Sequence, residues 1–124
     1  MNIKSTLLGL ALISVPATFA FAHHSFSDFD MSKMVEISGI VAEVQYRNPH
    51  VWVFVDVDNQ GQPQSWAVEA GGPNILMRQG WKANTLKAGD KVDIQLAPMK
   101  DETKRGGALQ AMRFPDGKII GVWK

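Results

Sequence analysis

The sequence contains no cysteine. This absence excludes disulfide bonds, thiolate metal sites, a cysteine nucleophile and lipid attachment through an N-terminal cysteine. Other reactive groups are scarce as well, since the single tyrosine is Tyr46 and no serine lies in the motif of a hydrolase nucleophile. The acidic residues are spread over predicted turns and solvent-facing positions, where they form no acid and base pair. The sequence therefore predicts a protein that is not an enzyme.

The sequence also lacks an excess of charge of either sign. Lysine and arginine number 13, and aspartate and glutamate number 12, which gives a formal net charge of +1. A nucleic-acid-binding protein usually carries a basic excess, so this balance predicts that nucleic acid is not a partner. The hydrophobic fraction of 45% and the charged fraction of 20% are typical of one globular domain.

A third absence is that of a long hydrophobic run. A membrane-spanning helix needs about 20 apolar residues, whereas the apolar run over residues 7–13 is soon followed by Pro16. With Lys4 before it and Ala-Phe-Ala at residues 20–22 after it, this segment has the pattern of a secretory signal peptide. We predict a signal peptide over residues 1–22, a periplasmic or secreted bacterial protein, and no stable membrane insertion after cleavage. The alternative is an uncleaved amphipathic helix.

The clearest pattern in the remaining chain is an alternation that begins at Val51 and predicts a β-strand. The valines are Val51, Val53, Val55 and Val57, and the residues between them are Trp52, Phe54 and Asp56. Because successive side chains of a strand point to opposite faces, the valine row must face the core. Asn48-Pro49 is a turn signal, since proline cannot donate to a ladder, and it puts His50 at the mouth of the strand.

Two further strands accompany the valine strand. Residues 35–46 are predicted to form one long strand whose apolar face changes parity, which favours a bulge at Gly39. Residues 58–63 are rich in turn formers, and they connect the valine strand to a strand over residues 65–69 in a hairpin.

A short helix and the closing strands follow. Pro73 and Gly80 suit the beginning and the end of a helix over residues 74–79. Alternation and turn residues then predict a strand over 91–96, an exposed loop over 98–107 and a strand over 108–114. Residues 118–123 are predicted to form a closing strand or an extended tail. A helix between the third and fourth strands is the arrangement of the OB-fold. We therefore predict an all-β fold with one short helix, an OB-fold-like small five-stranded Greek-key barrel; the alternative is another small barrel or a sandwich.

The predicted domain organisation has three parts. A signal peptide over residues 1–22 precedes an extended N-terminal arm over residues 23–34, and one OB-like domain occupies residues 35–124. We expect Phe26 and Phe29 to anchor the arm against the core. The predicted core residues are Val41, Val53, Val55, Val68, Val92, Ile94 and Leu96.

Several short motifs of the mature chain resemble a family of small secreted bacterial proteins known as domain of unknown function 6152. The motifs are His23-His24-Ser25-Phe26, Phe29-Asp30, Gly39-Ile40-Val41, Asn48-Pro49-His50, Trp66, Gly80-Trp81 and Leu86-Lys87-Ala88-Gly89-Asp90-Lys91-Val92. The resemblance covers the whole mature chain and implies an exported single domain. It implies no activity, so the function is predicted from the residues themselves.

An aromatic surface on the second strand is the first candidate site. Trp52 and Phe54 face away from the valine row, and Tyr46, Arg47 and Asn48 lie beside them at the corner. The second and third strands of an OB-fold usually carry its ligand surface. Aromatic rings and an arginine there would suit a sugar, a peptide or a stacked base. These residues predict an exported, non-catalytic binding domain for an unknown protein or small molecule; the alternative is that both rings belong to the core.

The histidines form the second candidate site. If cleavage follows Ala22, His23 becomes the N-terminal residue, and its amine and imidazole can chelate one metal ion. His50 would complete a nitrogen-rich set that suits Cu(II), and His24 is a possible further ligand. If cleavage follows Ala20, the amine, two backbone amides and the His23 imidazole also favour Cu(II) or Ni(II). The alternative function is thus a periplasmic copper-handling protein. The other interpretation is a solvated tail with His50 bonded to a backbone carbonyl.

Three acidic residues near the hairpin are the last candidates. Asp56, Asp58 and Glu69 could bind a hard cation, but the sequence around Asp58 lacks the ligand spacing of a calcium loop. We interpret all three as turn and solubility residues.

Overall fold

The computed structural model of the protein describes residues 26–124, which form six strands and one helix. In chain order the elements are β1 Val35–Gln45, β2 Trp52–Asn59, β3 Gln62–Glu69, α1 Pro73–Arg78, β4 Lys91–Pro98, β5 Gly106–Arg113 and β6 Ile119–Gly121. Within this part of the chain, no helix has the length and apolar character that crossing a membrane requires.

The first five strands close into a barrel. Their order is β3-β2-β1-β4-β5, with antiparallel neighbours throughout, and a parallel pairing of β3 with β5 joins the two ends. The helix α1 lies between β3 and β4 in the chain, and its Leu76 is part of the core. The short β6 pairs with the end of β5 outside this closed set. The predicted OB-fold-like five-stranded barrel is therefore confirmed.

The valine row lies in the centre of the barrel. Val51, Val53 and Val55 have no exposed surface, and all seven predicted core residues are buried. On the opposite face of β2, Trp52 and Phe54 are half-buried and Asp56 is exposed. The alternation thus separates a core face from an outer face, as the period of two predicts.

The bulge in β1 lies further along the strand than the sequence predicts. Val41 pairs with Val55 and Glu43 with Phe54, so the extra residue is Ala42 and the predicted position at Gly39 is wrong. The Val41 N–H donates to the Asp90 carbonyl at 2.8 Å, next to the last pair that β1 forms with β4. The regular hydrogen bonding of β1 therefore continues through Val41, and the bulge begins only after this residue. Before this point β1 pairs with β4, and beyond it β1 pairs only with β2.

The helix α1 ends at Arg78, one residue before the predicted end, and Gly80 stops it as the sequence predicts. The Gly80 N–H donates to the Met77 carbonyl at 3.0 Å and the Trp81 N–H donates to the Leu76 carbonyl at 2.9 Å. This pair of bonds is a Schellman motif, and it needs a left-handed residue at Gly80, whose φ is 84°. The motif turns the chain so that Trp81 is fully buried beside Leu76 in the core.

The described part of the N-terminal arm is fixed to the end of β4 and to the loop that follows it. The Asp30 N–H donates to the Pro98 carbonyl and the Lys100 N–H donates to the Asp28 carbonyl, both at 2.8 Å. Phe29 is buried in a small cluster with two alanines, so this aromatic anchors the arm as expected. The expectation for Phe26 is wrong, because 64% of its surface is exposed.

Candidate functional site

The outer face of β2 forms one side of an open groove of about 360 Å³. We call it the Trp52 groove, and its lining residues are Gln45, Arg47, Asn48, Pro49, His50, Trp52, Phe54 and Ala67. They come from the end of β1, the corner that follows it, β2 and β3. The peptide bond between Asn48 and Pro49 in this corner is cis.

Two aromatic rings form the platform of the Trp52 groove. The ring centroids of Trp52 and Phe54 are 6.5 Å apart and their planes are inclined by 21°, so the rings are stacked. Across the β2–β3 ladder, Phe54 is opposite Ala67, whose small side chain leaves the rings accessible. Half-buried rings beside a concavity can take a flat ligand surface.

The rim of the Trp52 groove carries a cation in a fixed environment. An Arg47 guanidinium N–H donates to the Gln45 side-chain oxygen at 2.8 Å, and the Gln45 amide donates to the Glu43 carboxylate at 2.9 Å. The guanidinium has further N–H donors, which suit a carboxylate or a phosphate. Arg47 is exposed, so an anionic group of a ligand can reach it.

His50 lies between the Trp52 groove and a second concavity. This arm pocket of about 190 Å³ is lined by Phe26, Phe29, His50, Glu69, Ala70, Gly71, Gly72, Ile75, Ala108 and Leu109. His50 Nδ1 is 2.8 Å from the Glu69 carboxylate oxygen Oε1. The Glu69 side chain is 11% exposed and that of His50 is 34% exposed. The imidazole therefore belongs to the walls of both concavities.

The structure brings Arg47, Asn48, Trp52, Phe54 and His50 together, and Tyr46 is separate from them. Tyr46 is half-buried and packs against the core. Its hydroxyl lies 3.2 Å from the Trp81 carbonyl oxygen, to which it donates. The tyrosine thus links the corner to the segment after α1 instead of lining the groove. The other predicted ligands, His23 and His24, lie outside the described residues.

The acidic residues have three different surroundings. Asp58 accepts a hydrogen bond from the Gly61 N–H at 2.9 Å, which is a turn role. Asp56 and Asp58 line a separate cavity of about 550 Å³, whose other lining residues include Lys91 and Asp93. The interpretation of Glu69 as a solubility residue is wrong, because its carboxylate is largely buried against His50. Among residues 26–124, no three His, Asp or Glu side chains are placed to hold one metal ion.

Sequence reasoning missed the contact of Glu69 with His50 and the position of Ala67 beside Phe54, although the hairpin that joins β2 and β3 determines both. The turn between β2 and β3 consists of Gln60 and Gly61 with φ values of 55° and 81°, which is the geometry of a two-residue hairpin turn. Such a turn fixes the register of the two strands. Counting outward from it places Glu69 opposite Trp52 and Ala67 opposite Phe54, as observed.

The comparison with known proteins supplies a family and a fold. The sequence matches a family of unknown function, DUF6152, over residues 11–109. No curated protein matches it. The fold is similar to that of Rim1, a mitochondrial single-stranded DNA binding protein from S. cerevisiae, with a TM-score of 0.52 and 10% sequence identity. The similarity covers 70% of this chain and 94% of the Rim1 chain. At this identity the likeness shows the fold alone.

This comparison corrects the prediction that excludes nucleic acid as a partner. That prediction is wrong, because Rim1 combines a similar barrel with single-stranded DNA binding. The prediction relied on the net charge of the whole chain. A barrel of this kind binds single-stranded nucleic acid through a local groove and through bases that stack on aromatic rings. The net charge of the whole chain gives no information about either feature.

Proposed function

The chain belongs to the DUF6152 family, whose function is unknown, and we propose from its groove that it is an exported binding domain. Its ligand would occupy the Trp52 groove and stack on Trp52 and Phe54. The observation that supports this proposal is that β2 presents two stacked, half-buried rings to a concavity, although Val53 and Val55 on its other face are completely buried. Apolar aromatic area of this kind is costly to expose to water unless something covers it.

The ligand class follows from the rim of the groove. A flat ring would stack on Trp52, and an anionic group on the same molecule would pair with Arg47 at the rim. His50 lines the same groove and offers a further polar group. We therefore propose a ligand that combines a flat ring with a carboxylate or phosphate, and indole-3-acetate is the simplest probe with both groups.

Calorimetric titration with indole-3-acetate tests this function. Removing the platform in Trp52→Ala should weaken binding by about 5-fold to 150-fold, because stacking contributes on the order of 1–3 kcal/mol. Arg47→Gln should weaken binding of indole-3-acetate and should leave binding of tryptamine, which has the same ring and a positive charge, unaffected or stronger. A short oligodeoxythymidine, titrated in parallel, reports whether a base and a phosphate satisfy the same two groups.

Each variant has a matched control elsewhere on the barrel. Trp123→Ala removes another half-exposed tryptophan, whose ring lies 4.3 Å from the Arg113 guanidinium. Lys91→Gln removes another exposed cation, on β4. Equal losses in Trp52→Ala and Trp123→Ala would mean that the probe binds exposed tryptophan without using the groove. That result would overturn the proposed site.

Export is the part of the proposal that concerns the N-terminal segment. It is supported by the three-part pattern of residues 1–22. Mass spectrometry of the protein recovered from the medium or the periplasm of its host should give a chain that begins at His23, or at Phe21 if cleavage follows Ala20. A chain that retains Met1 would contradict export.

Copper handling is a second candidate function, and one specific observation favours it. Phe26 and His50 line the same arm pocket, so the described chain begins beside the imidazole that was predicted as a ligand. His24 is two residues before Phe26, and each residue of chain spans at most about 3.6 Å. The amine and imidazole of His23, with His24, could therefore reach His50 and complete a nitrogen-rich set that suits Cu(II).

Three forms of the protein test the copper candidate. Calorimetric titration with Cu(II) should give the highest affinity for the chain that begins at His23. A chain with an additional methionine before His23 loses the chelating amine and should bind more weakly, and His50→Ala should also bind more weakly. Equal affinity in all three forms would leave only nonspecific binding to histidine.

A further inference from the structure

The separate cavity of about 550 Å³ lies on the outer surface of the barrel and carries charges of both signs. Its lining residues come from β1, β2, β4 and the end of β5 with the turn that follows, and it shares none of them with the Trp52 groove. We call it the outer cavity. Small-molecule sites commonly have volumes of about 300–1,000 Å³. The outer cavity is therefore large enough for a small ligand.

Three paired residues cross the outer cavity in one row. Ile40 on β1 is the cross-strand partner of Asp56 on β2 and also of Lys91 on β4. Directly paired residues put their side chains on the same face of a sheet, so the three side chains are neighbours in the order Asp56, Ile40, Lys91. Because adjacent strands are about 4.8 Å apart, the backbones of Asp56 and Lys91 are separated by about 10 Å. The row has a carboxylate at one end, an ammonium group at the other and an apolar side chain between them.

The two charges at the ends of this row are open to a ligand. Asp56 and Lys91 are both exposed, and among residues 26–124 neither takes part in a salt bridge. Asp58 adds a second carboxylate on the Asp56 side of the cavity. Ile40 is 40% exposed, so the surface between the charged ends is apolar and accessible.

The other charged groups of the outer cavity already satisfy one another. The Asp93 carboxylate accepts a hydrogen bond from the Ser38 hydroxyl at 2.7 Å and lies 3.0 Å from an Arg113 guanidinium nitrogen. The same guanidinium lies over the Trp123 ring, 4.3 Å from its centroid. This network forms a fixed, neutral wall. Lys91 is therefore the lining cation that remains for an anionic group of a ligand.

We propose that the outer cavity binds a linear dipolar molecule, with an ammonium group and a carboxylate at opposite ends of an alkyl chain. The ammonium group would pair with Asp56, the carboxylate would pair with Lys91, and the methylene groups would cover Ile40. A molecule with only one of these charges would leave the other end of the row unpaired. 6-Aminohexanoate is the simplest probe of this class. The inference goes beyond the proposed function, since it concerns another surface and another class of ligand.

Nitrogen-15 NMR titration of the wild-type protein with 6-aminohexanoate tests the site. The backbone amides of Asp56 and Lys91 should change together and saturate at one common midpoint, and the Trp52 indole N–H should not change. Hexylamine and hexanoate each carry one of the two charges. The usual strength of an exposed ion pair corresponds to about 1.4-fold to 5-fold in affinity, so each should bind more weakly by this factor. Equal affinity for hexanoate or hexylamine, or unchanged amides at Asp56 and Lys91, would overturn the inference.

Exchanging the two charges gives a second test. Asp56→Lys and Lys91→Asp each leave the same sign at both ends of the row, and each should weaken binding of 6-aminohexanoate by about 2-fold or more. The double variant has one charge of each sign again. Because the probe can bind in the reverse direction, the double variant should recover most of the affinity.

Glu102→Lys is the matched control, since it makes the same change of charge at an exposed position in the loop after β4. It should bind 6-aminohexanoate like the wild type, and the amide spectrum of each variant establishes that it is folded. If Glu102→Lys weakens binding as much as Asp56→Lys, or if the double variant binds as weakly as the single variants, the probe responds to net charge and the inference is refuted.

Discussion

At the scale of single residues, short-range hydrogen bonds hold the arm as it approaches the barrel. The Asp30 carboxylate accepts hydrogen bonds from the Ser32 hydroxyl at 2.6 Å and from the Ser32 backbone N–H at 3.1 Å. The Lys33 ammonium lies 3.3 Å from the same carboxylate. The hydrogen bond from the Ser32 side chain is the main reason why the pKa of Asp30 is lowered from its ordinary value.

Ser32→Ala tests this assignment. The substitution removes the hydroxyl donor, so the pKa of Asp30 should rise towards its ordinary value. A group with a depressed pKa in the folded state contributes stability above its unfolded pKa and loses it as the pH falls through the folded pKa. The stability difference between wild type and variant should therefore be present near neutrality and disappear in acid. Carboxyl NMR across the acidic range measures the pKa, with Ser65→Ala as the control; an unchanged Asp30 would contradict the assignment.

At the scale of elements, the end of α1 directs the chain into the core. Its Schellman motif depends on Gly80, which has a φ of 84°. A Cβ at this position would meet only the end of the Lys118 side chain, at 3.1 Å. That flexible group can move, so backbone conformation and not space restricts the residue to glycine.

Gly80→Ala should lower the free energy of unfolding by about 1–2 kcal/mol, the cost of a left-handed conformation for an L-residue. Urea denaturation measures the change. The control is Gln79→Ala at the adjacent exposed position, where we expect a change within about 0.5 kcal/mol. Equal stabilities for the two variants would show that the helix end tolerates a different conformation.

The same elements show what the sequence can predict. Local patterns were sufficient to predict that the valine row is buried and that α1 ends at a glycine, because both features depend on residues a few positions apart. The bulge at Ala42 was misplaced because it depends on the Val41 N–H donating to Asp90, which is far away in the chain. The alternation of Val92, Ile94 and Leu96 with polar residues along β4 would also put Gln95 on the solvent face. It is buried instead, since its side chain bonds to the Lys124 backbone at 2.8 Å.

The candidate site, too, has features that the local sequence predicts and features that depend on distant contacts. Alternation along β2 put Trp52 and Phe54 on a shared outer face, and the turn signal put His50 at the mouth of the strand. Whether the two rings belong to a groove or to the core depends on what covers that face, which alternation does not report. The pairing of His50 with Glu69 needed the register of the hairpin, and the open space beside Phe54 needed Ala67 as its cross-strand neighbour.

At the scale of the whole molecule, the barrel closes where β3 and β5 run parallel. Ala67 pairs with Gly106 at this closure and with Phe54 at the Trp52 groove. A Cβ on Gly106 would lie 2.3 Å from the Ala67 carbonyl oxygen, so the approach of the two strands requires glycine. The closure of the barrel and the shape of the groove therefore share one residue.

Gly106→Ala should force these strands apart and lower the free energy of unfolding by about 1–3 kcal/mol, the usual cost of overpacking. Hydrogen exchange should show faster exchange of the Ala67 amide, which donates to the Arg105 carbonyl at 3.2 Å in the wild type. Gly71→Ala is the control, because its Cβ would make ordinary contacts with Ile75, the nearest at 3.4 Å. If the two variants exchange and unfold alike, the closure does not depend on Gly106.

Ligand binding in the Trp52 groove is tested most directly by an NMR titration of the nitrogen-15-labelled wild-type protein with indole-3-acetate. We predict that the largest chemical-shift changes occur at the Trp52 indole N–H and at the backbone amides of Phe54 and Ala67, and that they saturate together. The amides of Lys91 and Asp93, which line the separate cavity, should not change. Changes centred on Lys91 and Asp93, or an unaffected Trp52 at saturation, would contradict a binding site on this face of the barrel.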